Sequence, residues 1–252
     1  MVAKPCSSIV LMIPTYLDVD PNSYRVEQKL TEGGLAVIYL ARIVSPQVLV
    51  RTQGADICVV KMMKSTDPTM MKLFVQEVSI MNFLGSHKNI AKLIGYSTLQ
   101  QTLLMKYYPL GSLDEFINGR LQHTPYGINS TFNMLHGIAS ALAFMHGRQI
   151  AHCDVKPGNV LLEQTQLWPF LRPVLADFGV SCVLSPHAVA VAGFQSTNLN
   201  AASIRYAAPE VLTTLNTAMT AHNRNADVIV KGDVYAFGAM VGEMLNRRKP
   251  WS

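Results

Sequence analysis

His152-Cys153-Asp154-Val155-Lys156-Pro157-Gly158-Asn159-Val160-Leu161-Leu162 places a carboxylate, an ammonium and a carboxamide in one short stretch that runs on into an apolar strand. Asp154 can accept a hydroxyl proton, Lys156 can neutralise a transferring phosphate, and Asn159 offers an oxygen to a hard cation. That division of labour suits phosphoryl transfer. Further on, Val174-Leu175-Ala176 reads as a short buried strand that delivers Asp177-Phe178-Gly179, and Asp177 supplies a second oxygen donor for a cation.

Working outward toward the N-terminus, Ile57-Cys58-Val59-Val60-Lys61 reads as a strand in which a lysine ends an otherwise apolar run. A helix follows. Asp67 is its cap, Pro68 takes the first turn, and Met71, Phe74, Val78 and Met81 form its apolar stripe, with Glu77 inside it. On spacing alone Glu77 reads as part of a solvated face. Tyr24 to Leu30 and Val37 to Ile43 read as two strands around Thr31-Glu32-Gly33-Gly34-Leu35-Ala36, where glycines let backbone N–H groups approach phosphate oxygens or simply turn a hairpin. On the C-terminal side, Leu135, Ile138, Leu142 and Met145 recur at helical spacing between Ser130 and His146, and Gly147 stops that helix just before the decisive stretch.

Composition sets the outer bounds. Hydrophobic residues make up 49% of the 252 and charged ones 15%, against about 25% charged in an average globular domain, so the chain has the material for a large core and one or two domains. The net charge of +5 is spread out, with only Arg247-Arg248-Lys249 as a basic run, and no nucleic-acid patch is expected. Cys6, Cys58, Cys153 and Cys182 show no paired C-x-x-C spacing, which argues against a metal or disulfide framework. Ile9 to Ile13 is too short for a secretory core, and Gly238 and Gly242 sit in a segment too short to span a membrane, so a cytoplasmic chain without membrane partners is the expectation.

In these motifs the chain resembles the eukaryotic protein kinases, whose catalytic loop reads H-R-D-L-K-x-x-N and whose metal-binding triplet is D-F-G. The resemblance runs over residues 24–252, and Ala208-Pro209-Glu210 matches the family's A-P-E. It implies an α+β, bilobal fold: a small five-stranded antiparallel lobe with one helix over residues 23–106, and a larger, mainly helical lobe over 107–252, with ATP and Mg2+ between them. Residues 1–22 read as a leader. By the same resemblance Asp154, Lys156, Lys61 and Glu77 are catalytic, Asn159 and Asp177 hold the metal, and Leu30, Gly33, Gly34, Val37, Val59, Lys61, Met105, Lys106, Tyr108 and Leu161 bind the nucleotide. His152 packs under the metal-binding triplet, and Asp233 anchors the catalytic-loop backbone. Lys156, with Ser203 and Tyr206 ahead of the A-P-E, implies a protein substrate phosphorylated on serine or threonine.

Four departures from the family pattern stand out. Thr31 and Ala36 replace two of the three glycines of G-x-G-x-x-G-x-V, Val59 stands for the usual alanine, and Cys153 stands for the arginine that pairs with a phosphorylated activation loop. These leave open a second reading, a pseudokinase or nucleotide-binding scaffold without turnover. The connection from Leu162 to Asp177, with Trp168-Pro169-Phe170, is long and reads as a surface insertion, while Ser181, Ser185, Ser196 and Thr197 are modification sites by type alone. The helix over 233–245 is apolar nearly all round and is expected to be buried. Because the family continues with further helices, Phe237, Val241 and Met244 are expected to need cover, either from a longer chain or from a partner, and Glu210 is expected to be partly buried without its arginine.

Overall fold

Strand β1 (Tyr24–Glu32) pairs with β2 (Ala36–Ile43), and β2 with β3 (Ile57–Met63), all antiparallel. With β4 (Leu93–Ser97) and β5 (Thr102–Lys106) they form one five-stranded sheet in the order β1-β2-β3-β5-β4. The computed structural model of the chain describes residues 13–120, 128–165, 171–184, 201–216 and 226–251. Cys6, the Trp168-Pro169-Phe170 tract, Ser185, Ser196, Thr197 and His222 lie outside the described residues. Backbone contacts divide the chain after Pro109 into two compact units.

In the first unit, alternation along β3 sends Cys58 and Val60 into a cluster with Val19, Tyr24, Ala41 and Ile94, and leaves Val59 and Lys61 on the other face. Two helices accompany the sheet rather than the one expected. The extra one is the short α1 (Pro46–Arg51), which starts on a proline at its first turn and buries Val48. The second, α2 (Pro68–Leu84), begins as the sequence indicates, with the Asp67 carboxylate accepting from the N–H groups of Thr69 and Met70 at 2.8 and 3.1 Å. It ends at Gly85, whose φ of 59° with ψ of −134° is a conformation that glycine adopts and a side chain would strain.

The segment read as a leader is docked on this sheet from Pro14 onward. Val19 donates its N–H to the Tyr96 carbonyl at 2.8 Å, the Tyr96 hydroxyl donates to the Pro14 carbonyl at 3.1 Å, and the Arg51 guanidinium donates to the Tyr16 carbonyl at 2.8 Å. Gly95 lies under it so closely that a Cβ there would stand 3.0 Å from the Leu17 carbonyl and from a Val19 methyl.

The second unit is mainly helical. It opens with α3 (Leu113–Glu115), capped reciprocally by Ser112 and Glu115, and continues through α4 (Ile128–His146), whose Leu135, Ile138, Leu142 and Met145 are all buried as the periodicity requires. Two small ribbons follow: β6 (Ile150–Ala151) with β9 (Cys182–Val183), and β7 (Val160–Gln164) with β8 (Leu171–Leu175). The stretch taken for a surface insertion is therefore largely a hairpin, with Arg172 paired to Glu163 across it at 2.6 Å. The described residues then add α5 (Ala201–Ile204), α6 (Pro209–Asn216) and α7 (Ala226–Asn246). On α7 only Asp233, Ala236, Met240, Glu243 and Met244 are buried, whereas Phe237 and Val241 are half-covered and Val234 and Leu245 exposed, so the expectation of burial all round does not hold. Glu210 is exposed rather than partly buried, which removes the expected cost of an unpaired acid there. Among the described residues no helix is long and apolar enough to cross a membrane.

Candidate active-site residues

The first unit brings Lys61 and Glu77 together. Lys61 Nζ donates to Glu77 Oε1 at 2.7 Å and Oε2 at 2.9 Å, and both side chains are nearly buried. The face on which Glu77 sits is thus interior, against the solvated reading. A carboxylate taken out of water needs a partner of opposite charge, and strand alternation supplies the lysine.

Register decides which apolar residues share the lysine's face. Ile38 lies opposite Lys61, Leu40 opposite Val59, and Val59 opposite Met105, so these side chains emerge together. Val37 lies opposite Met62 on the reverse face, away from Lys61, whereas Ile38 shares the lysine's face. The signal was available, since counting two positions on from Ala36 in the family pattern reaches Ile38. Leu30 falls in a bulge between Lys29 and Thr31 and is exposed.

At the hairpin tip the Gly33 N–H donates to the Ala36 carbonyl at 2.9 Å, and Gly33 and Gly34 are both exposed. Glu32 beside them is clamped by Lys29 and Lys64, whose hydrogen bonds draw its carboxyl down to about 2. At the end of β5, Met105 is half-buried, the Lys106 N–H donates to the Lys92 carbonyl at 3.0 Å, and the Lys106 ammonium stands 5.5 Å from the centre of the Tyr108 ring.

In the second unit Asp154, Lys156 and Asn159 converge. Lys156 Nζ donates to Asp154 Oδ2 at 2.6 Å and to Ser203 Oγ at 2.8 Å, and Asn159 Nδ2 donates to the Asp154 carbonyl at 2.8 Å and to its Oδ2 at 2.9 Å. Two N–H donors on one oxygen fix the orientation of the carboxylate. Ser203, 47 positions after Lys156 in the chain, reaches the same ammonium from α5.

The loop that carries these groups is held from behind. His152 and Cys153 donate their backbone N–H groups to the two oxygens of Asp233 on α7, each at 2.8 Å, and His146 Nε2 lies 2.9 Å from the same carboxylate. Cys153 adopts φ 66° and Asp177 φ 64°, left-handed conformations that a non-glycine residue keeps only where the surroundings enforce them. The Ala176 N–H donates to the Asn159 carbonyl at 2.9 Å, and His152 Nε2 lies 3.1 Å from the Ala176 carbonyl. Asp177 is exposed, while Phe178 is buried edge-on against the His152 ring with centroids 5.3 Å apart. Leu161 is half-buried on β7 and pairs with Val174. Sequence reasoning did not anticipate the role of His146 or the proximity of Cys153 and Cys182, because each contact joins elements far apart in the chain.

Residues 24–252 match the family model described as the protein kinase domain. Among curated proteins, the chain is 28% identical over 225 residues to the cysteine-rich receptor-like protein kinase 45 of Arabidopsis thaliana, covering 87% of this chain and 56% of that protein. It is 28% identical over 237 residues to the lectin-domain containing receptor kinase VI.3, and 30% identical over 238 residues to the L-type lectin-domain containing receptor kinase I.3, both also from Arabidopsis thaliana. In those two cases the match covers 91% of this chain but only 30% of the relative.

Proposed function

This chain belongs to the protein kinase domain family, and on that premise we propose that it transfers the γ-phosphate of ATP to a serine or threonine hydroxyl of a protein substrate. The observation that carries this reading is the Asp154 carboxylate, whose Oδ2 is held at once by Lys156 at 2.6 Å and Asn159 at 2.9 Å. A carboxylate fixed in this way can take the proton of an acceptor hydroxyl as the hydroxyl attacks. Lys156, bound also to Ser203, keeps a positive charge beside that hydroxyl. Lys61 would hold phosphate oxygens, and Glu77 positions its ammonium.

The adenine edge would pair with backbone groups of Lys106 and Tyr108, beside the apolar side chains of Leu30, Ile38, Val59 and Met105, and the N–H groups at Gly33 and Gly34 would face phosphate. Asn159 and the exposed Asp177 carboxylate are hard oxygen donors of the kind Mg2+ takes, and the ion when bound would neutralise charge on the phosphate oxygens. A reducing, nucleotide-rich cytoplasmic setting suits such a domain.

The test is transfer of labelled phosphate from ATP with Mg2+ to peptide libraries carrying serine, threonine or tyrosine as the sole acceptor, beside a thermal-shift titration with the nucleotide. Transfer to the serine and threonine libraries that is lost in Asp154→Asn supports the proposal. A nucleotide-dependent rise in Tm without any transfer replaces it with a nucleotide-binding scaffold, the reading that Thr31, Ala36 and Cys153 favour.

A further inference from the structure

Cys153 and Cys182 come from different strands of sequence and meet. Cys182 on β9 lies opposite Ala151 of β6, Cys153 follows Ala151 two positions later, and the left-handed turn at Cys153 brings its sulfur to 3.5 Å from the sulfur of Cys182. Around the pair the contacts are apolar: Ala151 and Leu184 from the ribbon, and Ala226, Ile229 and Val230 from the first turns of α7. The Asp233 carboxylate near it is engaged by the backbone N–H groups of His152 and Cys153.

We propose that Cys153 and Cys182 form a reversible intramolecular disulfide, a modification site that takes a hydroperoxide as its oxidant and fastens the loop carrying Asp154 to the strand β9. Rotation of the two side chains closes the 3.5 Å separation to a bonding distance of about 2.05 Å. In the first step the Cys153 or Cys182 thiolate attacks the peroxide O–O bond, giving a sulfenic acid and releasing an alcohol or, from hydrogen peroxide, water. In the second the other thiol displaces water from the sulfenic sulfur. Both sulfurs together lose two electrons and two protons, and the O–O bond is reduced.

The contact with Cys182 and burial hold the Cys153 thiol well above its usual range, so the pair rests as two thiols and the attacking thiolate is a minor species, which makes the oxidation slow. Cys58 serves as an internal reference, because it is fully buried in a cluster that holds no other cysteine and desolvation pushes its thiol up to about 12. The disulfide itself does not depend on the kinase reading. Its effect on phosphate transfer does, since the residue after Cys153 is Asp154.

The experiment uses the full chain with Cys6→Ser, reduced, freed of reductant, and exposed while folded to hydrogen peroxide at a dose that fully oxidises glutathione in parallel. Remaining thiols are then alkylated and the peptides mapped without reduction. The expected result is a cross-linked peptide joining 153 to 182, loss of two thiols together, Cys58 still alkylatable after denaturation, and complete reversal by dithiothreitol. Cys182→Ser should yield no cross-link at all. The proposal is overturned if the 153–182 peptide is missing at that dose, if the only disulfides are between chains or involve Cys58, or if the cross-link appears solely when the chain is oxidised in urea.

Discussion

Lys61 Nζ touches both oxygens of Glu77, at 2.7 and 2.9 Å, so a strand-end lysine and a mid-helix glutamate form one buried unit that ties β3 to α2. Each charge needs the other, because neither has the solvent that a surface ion pair would share. Lys61→Met therefore does more than remove a phosphate ligand. It takes the ammonium from a carboxylate that is 1% exposed, at a cost on the order of 3–5 kcal/mol, whereas replacing both partners by apolar residues is close to neutral. Urea unfolding should show Lys61→Met clearly destabilised and the Lys61→Met, Glu77→Leu double variant largely restored. A single variant as stable as the parent would contradict the burial of the pair.

Asp154→Asn should behave differently. The change keeps the side-chain volume and one hydrogen-bond acceptor for Lys156, and Asp154 is not the centre of an apolar cluster. Turnover should fall by about 10²-fold or more, with the KM for ATP nearly kept, since a base acts on the acceptor hydroxyl and not on nucleotide affinity. Steady-state kinetics against both substrates separates these effects, and a large rise in the KM for ATP would count against the assigned role.

Much of this was legible in the sequence because it rests on short-range rules. The Asp67-Pro68 start of α2, the apolar stripe of α4 and the strand that delivers Asp177 follow from capping chemistry and periodicity, and the structure has all three. What escaped depends on partners chosen elsewhere in the chain. The bulge that leaves Leu30 exposed arises only in the pairing of β1 with β2, whereas the place of Ile38 on the lysine's face was within reach of the family pattern, since a shift of one position reverses the face of a side chain. The hairpin of β7 and β8 was read as an insertion because its two strands support each other only once paired. The Cys153–Cys182 contact was invisible because no local spacing encodes it.

Asp233 is the residue on which the loop backbone depends. Its two oxygens accept the N–H groups of His152 and Cys153, and removing the carboxylate leaves two donors unmatched, at about 1–3 kcal/mol each where they are buried. Asp233→Ala should lower stability by a few kcal/mol and speed hydrogen exchange at the amides of His152 and Cys153 before any other part of the second unit. Unchanged exchange at those two amides would show that another group holds the loop.

Gly95→Ala probes the docked N-terminal segment. The added methyl would meet the Leu17 carbonyl and Val19 at 3.0 Å and the Arg51 guanidinium at 3.1 Å, so the segment must shift outward. A cost of about 1–3 kcal/mol is expected for such overpacking. Limited proteolysis should then cut between Pro14 and Val19 much faster than in the parent, and equal cutting rates would mean that the segment tolerates the methyl in place.

Alkaline pH offers a test of the sheet interior. Cys58 is fully buried among Tyr24, Val60 and Leu104, and desolvation raises its thiol from the ordinary 9.0 to about 12. Burial raises the Tyr24 hydroxyl as well. In the unfolded chain the Cys58 thiol loses its proton near pH 9, while in the folded chain it keeps it until about pH 12. Over that interval the native state binds more protons than the unfolded state, so stability is fully present below pH 9 and is lost progressively as pH rises toward 12. Urea unfolding measured at intervals from pH 8 to about 11 should therefore show a falling free energy, and Cys58→Ala, although less stable at every pH from the lost volume, should fall with a shallower slope. Parallel slopes for parent and variant would mean that Cys58 titrates alike in both states, and that the thiol is not shielded from water as its place in the core requires.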